Sequence, residues 1–398
     1  MSPLRRRLLT LLVSATAAIV FVDVLISALF IQDGMFAGKP LPPFGAITHV
    51  ERQAEFLASL ERPREERNSI GGFDRDLGWT YFPNARNTDG SAHTNSLASR
   101  GKREYTARPG KGITRVLAFG DSFVWCEEVS DRKSWGQIYE RRKKKIELIN
   151  FGVGGYGTDQ AFLRYQKVGR KLGADVVVIG LLLENIGRNV NRYRPMWSLT
   201  SALTRSKPRF QLRGDELVLV PQPFETEAEL LSAVRDDSVL DRLAEDEYWR
   251  GPDVLTGRAS SLMRLMMGWV AYRERQPRKL WVDHEGEPYR VSVAILESFH
   301  RMAMADGAEL APVLIFPTFE DLEALAESGD RYWSGLVEEL ESLGIPVVDL
   351  SEPLLVMFRQ YAAKGRPRAL FTGYHLSETG NGIVASALDK FIKEHRER

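Results

Sequence analysis

The chain has 398 residues, 43% hydrophobic and 27% charged, with a formal net charge of +1. That composition belongs to a folded protein of one large domain with insertions, or of two domains, and the balance of charge gives no footprint for nucleic acid. The one cysteine, Cys126, excludes an internal disulfide and any cysteine cluster for zinc or iron–sulfur, so no metal and no other cofactor is expected.

In chain order, residues 8–31 form an unbroken hydrophobic run preceded by Arg5, Arg6 and Arg7. At about 1.5 Å per residue a helix of that length crosses the roughly 30 Å hydrocarbon core with some tilt. The arginines keep the N-terminus cytoplasmic. A cleaved signal peptide is the rival reading, because residues 14–18 are small, but the run continues past the length of a signal core. The expectation is a single-pass anchor in the cytoplasmic membrane, with the remainder of the chain periplasmic or extracellular. Asp23 lies inside the run, either tolerated by its apolar neighbours or making a polar contact with another membrane protein. Residues 39–43 read as a stiff proline-rich spacer and residues 51–67 as a charged helix, a solvated stalk. Turns and short strands fill 72–110.

Residues 115–119 read as a strand covered on both faces, ended by Gly120-Asp121-Ser122. A helix at 131–145 follows, closing on a basic run that suits a solvated helix end. A second strand at 146–150 enters the glycine-rich turn 151–157. A helix at 158–172 leads to a third strand at 174–183, which ends at Glu184-Asn185. Over 192–291 the alternation stops. Hairpins are expected at 210–220 and 280–289, with helices at 226–243 and 260–273. Thr226 and Glu229 fit a capping box at the start of the first helix. The stretch reads as an inserted cap. Alternation resumes with an amphipathic helix at 293–305, a strand at 311–317, helices over 318–343, a fifth strand at 345–349, and a last helix ending near 394. Five apolar strands separated by helices predict an α/β fold with a doubly wound parallel sheet.

Four groups fall at C-terminal strand edges or in the last loop, each suited to a part in acyl transfer. Ser122 suits the nucleophile and His375 its general base. The backbone N–H of Gly155 and the side-chain amide of Asn185 suit an oxyanion hole, as donors that carry no charge. Cys126 reads as packing, and Trp125 as either pocket lining or core.

Gly120-Asp121-Ser122-Phe123, Asn150-Phe151-Gly152-Val153-Gly154-Gly155, Asn185 and His375-Leu376-Ser377-Glu378-Thr379-Gly380 resemble, in order, the four blocks of the SGNH/GDSL hydrolases. The resemblance covers roughly residues 94–190 and 293–395. It implies a flavodoxin-like three-layer α/β/α sandwich and ester hydrolysis, or sometimes acyl transfer, through an acyl-serine. By position, Ser122 is then nucleophile and oxyanion donor through its N–H, Gly155 and Asn185 complete the hole, and His375 is the base. Two departures stand out. The third block reads Leu183-Glu184-Asn185-Ile186, and the Asp expected three residues before the histidine is Thr372. Thr372, Asp349 and Glu184 are the candidates for the orienting residue.

The resulting division is a membrane anchor at 1–31, a stalk and N-terminal extension at 32–110, a catalytic core at 111–191 and 292–398, and the cap at 192–291. The expected activity is a serine esterase outside the cytoplasm, acting on O-acyl esters, in particular O-acetyl esters, of an envelope or exported polysaccharide. An O-acyltransferase, a lipid or small-ester esterase, and a binding subunit with a degenerate site are the alternatives.

Overall fold

The computed structural model describes residues 2–63, 66–67, 69–243, 247–249 and 260–396. Helix α1 (Pro3–Phe30) opens with the Ser2 hydroxyl accepting from the Arg5 N–H and buries none of its residues. It is long and apolar enough to cross a membrane. The chain beyond it is packed rather than spaced. Leu41 is buried, and the Tyr272 hydroxyl donates to the Pro40 carbonyl at 3.2 Å.

Helix α2 (Val50–Leu60) corrects the expectation of a solvated stalk. It buries Gln53, Leu57 and Leu60, at i, i+4 and i+7 on one face. That face joins Phe44, Met196, Leu199, Leu230 and Leu231 in a core of its own. The charged majority of the segment hid this narrow stripe. The N-terminal extension and the cap are thus held together by a shared core.

Five strands, β1 (Thr114–Phe119), β2 (Ile146–Asn150), β3 (Val176–Leu182), β4 (Val313–Phe316) and β5 (Val347–Asp349), form one parallel sheet in the order β2-β1-β3-β4-β5. This is the flavodoxin-like order, with its switch point between β1 and β3. The helices used below are α3 (Ser122–Trp125), α4 (Trp135–Arg142), α5 (Thr158–Arg164), α6 (Asn185–Asn189), α7 (Ser261–Glu274), α8 (Glu287–Ala305), α9 (Ser351–Ala362) and α10 (Glu378–Arg396). Side chains alternate across a strand, so Leu117, Phe119, Ile149, Val177, Ile179 and Ile315 meet Phe162 of α5 and Ile295 and Phe299 of α8. On the other face Val116, Ala118, Leu148, Val178 and Leu314 meet Ile138 of α4, Leu354 of α9 and Leu388 of α10. Every residue of β3 is buried, as a central strand with helices on both faces requires. The three-layer α/β/α architecture follows.

The cap differs from expectation in two places. The hairpin at 210–220 forms, with Arg209–Arg213 paired to Glu216–Val220 around Gly214. The hairpin expected at 280–289 does not. That stretch holds the helix Pro277–Val282 and the start of α8, with Pro277 and Pro288 in first-turn positions, where a missing N–H costs nothing. Trp281 turns inward and donates to the Leu183 carbonyl at 2.7 Å. The helix expected at 226–243 is two, Glu227–Arg235 and Val239–Leu243, separated by Asp237 at φ 60°. Thr226 accepts from the Glu229 N–H as expected, but the Glu229 carboxylate turns back to the Glu225 N–H.

Asp23 finds its partner inside the chain. Its carboxylate accepts the Leu262 N–H at 2.7 Å, at the N-terminus of α7, where unpaired N–H groups and the helix dipole favour an anion. Beside α1, α7 exposes Leu262, Met263, Met266, Trp269 and Val270.

Candidate active site

The C-terminal ends of β1 and β3 open into a cavity of about 670 Å³ whose wall includes Ser122, Gly155, Glu184 and His375. The strand-to-helix turn that carries Ser122 is pinned by its neighbours. Asp121 caps α3, with Oδ1 accepting the Phe123 N–H at 2.8 Å and Oδ2 facing Arg188 Nη1 at 3.3 Å. Burial raises the Asp121 carboxyl to about 6, against the opposing pull of Arg188. Cys126 closes α3 in the left-handed region. It is buried, and burial pushes its thiol up to about 12, the state of a packing residue. Trp125 is core: the Arg100 guanidinium lies 4.6 Å from its ring centre and the Tyr81 ring 4.4 Å.

The glycine-rich turn is held against this element. Asn150 Nδ2 donates to the Val124 carbonyl at 2.5 Å, and its Oδ1 accepts the Gly152 N–H at 2.9 Å. The hairpin Gly71–Asp74 with Gly78–Tyr81 buttresses the far side. Trp79 Nε1 donates to the Gly154 carbonyl, and the Tyr81 hydroxyl accepts the Gly154 N–H, both at 3.0 Å. Gly155 sits at φ +77°, with the Arg194 guanidinium so close that an added Cβ would fall 2.3 Å from it. Only glycine fits. The N–H groups of Ser122 and Gly155 have no partner among the described residues.

Asn185, the first residue of α6, is fully buried. Neither polar atom of its side chain makes a hydrogen bond of good geometry among the described residues, but the amide lies beside the Asp121 carboxyl and helps to pull that group's pKa down. Its immediate neighbour Glu184 is on the cavity wall.

His375 stands on the short hairpin Phe371–Thr372 with His375–Leu376, its ring centre 5.1 Å from that of Phe123. Burial holds its pKa below 6.5, with Glu128 pulling the other way. The imidazole is therefore neutral at pH 7 and able to accept a proton.

The structure brings a different carboxylate to His375 from the three residues singled out in the sequence. Thr372 is the cross-strand partner of His375, but its side chain is exposed. Asp349 is committed elsewhere, accepting from Arg331 Nε at 2.9 Å, Trp333 Nε1 at 2.8 Å and the Ser351 N–H at 2.8 Å. Glu184 takes the Tyr374 hydroxyl at 2.5 Å and Arg188 at 3.1 Å. The carboxylate that faces His375 Nδ1 is Glu128, at 3.5 Å, one step beyond a formed hydrogen bond. Its Oε2 also lies 3.4 Å from the His375 N–H. Glu128 follows α3 with φ 67°, and nothing in the local sequence marks it. Gly373, at φ +59°, makes room for it, since a Cβ there would fall 2.5 Å from both carboxylate oxygens. Gly373→Ala is expected to displace Glu128 and lower kcat, while circular dichroism remains that of the wild-type fold. The strain is about 1–2 kcal/mol, small against the core.

The sequence also left unmarked the other charged groups of the cavity wall, Glu127, Arg188, Arg194, Arg205 and Arg275. Three of the five, Arg194, Arg205 and Arg275, lie outside the elements that carry the recognisable blocks.

No family model matches the chain, and no curated protein matches it. Among solved structures it is similar to a protein described as lipolytic, of the G-D-S-L family, from Desulfitobacterium hafniense DCB-2. That similarity has 11% identity, a TM-score of 0.33, and covers 70% of this chain and 98% of that one. It is also similar to a member of the lipolytic protein G-D-S-L family from Veillonella parvula DSM 2008, with 13% identity, a TM-score of 0.33, and coverage of 70% and 97%. At that level the likeness decides nothing about the chemistry of this chain.

Proposed function

We propose that this chain is a serine esterase of the SGNH/GDSL kind. One observation carries the reading. At the switch point of a flavodoxin-order sheet, one cavity wall holds a hydroxyl on a pinned turn, a histidine kept neutral by burial, and two N–H groups without partners. The histidine is faced in turn by a carboxylate. In this reading Ser122 Oγ attacks the ester carbonyl and His375 takes its proton. The developing oxyanion is received by the N–H groups of Ser122 and Gly155 and by the Asn185 amide. The alcohol leaves with the proton returned by His375, and water then releases the acyl group from Ser122. Glu128 orients the imidazole and stabilises its charged form. This role for Glu128 weighs against a degenerate binding subunit.

The test is turnover of a small acetyl ester by the full chain in detergent micelles, with Ser122→Ala as control. Turnover that depends on Ser122 is expected. Equal rates in the two proteins would remove Ser122 from the chemistry.

The substrate we infer is an O-acyl ester, in particular O-acetyl, on an envelope or exported polysaccharide. The cavity wall mixes four arginines and three tyrosines with Phe56, Trp79, Trp197 and Trp249; the arginines favour a polar carrier, and the aromatic faces suit a sugar ring. An O-acyltransferase would use the same acyl-serine and differ only in the acceptor.

We also infer that α1 anchors the chain in the cytoplasmic membrane with the catalytic domain outside. The exposed apolar length of α1 and the three arginines before it support this, and so does the apolar face of α7 beside it. A reporter enzyme active only in the periplasm is expected to work when fused after residue 398. Activity confined to a cytoplasm-dependent reporter at that point would overturn the orientation.

A further inference from the structure

The cavity of Ser122 carries more positive charge than its mechanism uses. Arg188, Arg194, Arg205 and Arg275 face Glu127 and Glu184 across it. Arg188 and Glu184 are paired with each other, and the strongest opposite charge on Glu127 is Arg100. The remaining three arginines have no carboxylate at ion-pair distance among the described residues. Arg194 donates from Nε to Ser201 Oγ at 2.8 Å and from Nη1 to the Gly155 carbonyl at 3.1 Å. Arg275 donates from Nε to the Met196 carbonyl and from Nη1 to the Ala271 carbonyl. Arg205 is 8% exposed; its guanidinium lies 5.2 Å from the centre of the Phe56 ring, and the carboxylate that attracts it most is Glu227.

A guanidinium has five N–H donors, so each of the three keeps some unused. Taking a cation out of water without a counter-ion is costly. Burial pulls Arg194 down to about 9 and Arg205 and Arg275 to about 10, all still charged at pH 7. Arg188 and Arg205 repel Arg194 while Glu184 attracts it, and Glu227 and Glu247 attract Arg205 and Arg275 from beyond ion-pair distance. Arg194 donates to the carbonyl of Gly155, which lines the same cavity as Ser122, so the charge lies beside the proposed chemistry. An anion entering with the substrate would relieve the desolvation and the repulsion together, and planar guanidinium forks fit a carboxylate or a phosphate.

We propose that the Ser122 cavity takes an ester whose carrier bears an anion, a carboxylate or a phosphate, held by Arg194, Arg205 and Arg275. This rests on the reading of Ser122 as an ester-cleaving serine. For an exported polysaccharide it narrows the substrate to a uronate-bearing or phosphate-bearing chain.

The test measures binding apart from turnover. The full chain carrying Ser122→Ala, in detergent micelles, is titrated by calorimetry with a galacturonate hexamer, a neutral glucose hexamer and inorganic phosphate. The uronate is expected to bind at least about tenfold more tightly than the neutral hexamer and to weaken as salt rises. Arg205→Gln and Arg275→Gln should each erase most of that preference, with Arg205→Lys recovering part of it. Binding of phosphate alone, with the same dependence on these arginines, supports the anion site and makes the carrier a phosphate. Equal affinity for charged and neutral hexamers with no phosphate binding overturns the proposal, as does a preference that survives both Gln variants in folded protein. If the Gln variants do not fold, salt dependence in the chain with its arginines intact decides, and a flat dependence overturns it. Loss of turnover chemistry would show separately, as anion binding that persists in a chain whose Ser122 cleaves no ester.

Discussion

In the His375→Ala variant, kcat on a small acetyl ester falls by about 10⁶, and adding Ser122→Ala lowers it no further. The two side chains act as one unit, because a neutral hydroxyl without a proton acceptor is a poor nucleophile. What remains after either change is the contribution of binding and of the oxyanion donors, about 10³–10⁴ over water. The measurement is single-turnover and steady-state kinetics on the full chain, with a melting curve to show that the variant folds. A wild-type kcat in folded His375→Ala would remove it as the base. The pH profile carries a second check. Activity requires neutral His375 and therefore rises with pH through its pKa. Burial places that pKa below 6.5, so the acid limb should lie below 6.5 and the plateau should include pH 7.

Glu128→Gln is expected to lower kcat by up to about 10⁴, the effect of losing the carboxylate from a comparable serine triad. Glu128 is half-exposed and stands 3.5 Å from Nδ1, so its effect should fall short of that ceiling. Because Glu128 raises the pKa of His375, its removal should also move the acid limb to lower pH. A residue that merely supported the hairpin would lower kcat without that displacement. Thr372→Asp, which restores the carboxylate at its usual place in the sequence, is expected to be neutral or harmful, since two like charges would crowd one imidazole. Asp349→Asn should cost stability rather than catalysis, because Asp349 holds Arg331, Trp333 and the start of α9. A gain of about a hundredfold from Thr372→Asp, with Glu128→Gln unaffected, would return the orienting role to position 372 and take it from Glu128.

How far the sequence alone reached can be read from particular elements. All five sheet strands lie within a few residues of their expected places, because a strand buried on both faces is a continuous apolar run. The places of Ser122, Gly155, Asn185 and His375 next to strand and helix ends were legible for a related reason. Each sits at a fixed step after a strand or before a helix, and such spacing survives in one dimension. The long apolar helix α1 was legible because its length and apolarity are both local quantities.

What the sequence did not contain were pairings between distant segments. Glu128 meets His375 across 247 residues, through a left-handed backbone turn and a glycine that leaves it room. Asp23 meets the N-terminus of α7 across 239 residues. The apolar stripe of α2 was outnumbered by its charges until the cap supplied the other half of a shared core. The hairpin expected at 280–289 became helix because Trp281 and Tyr289 had buried places to go. The arginines of the cavity come from α6, from the chain between it and the 210–220 hairpin, and from the end of α7, each an ordinary surface charge when read alone. The chain order of apolar runs therefore determined the sheet and the place of its active edge. Tertiary structure alone decided which charges gather there, since a charge shows its use only beside its partner.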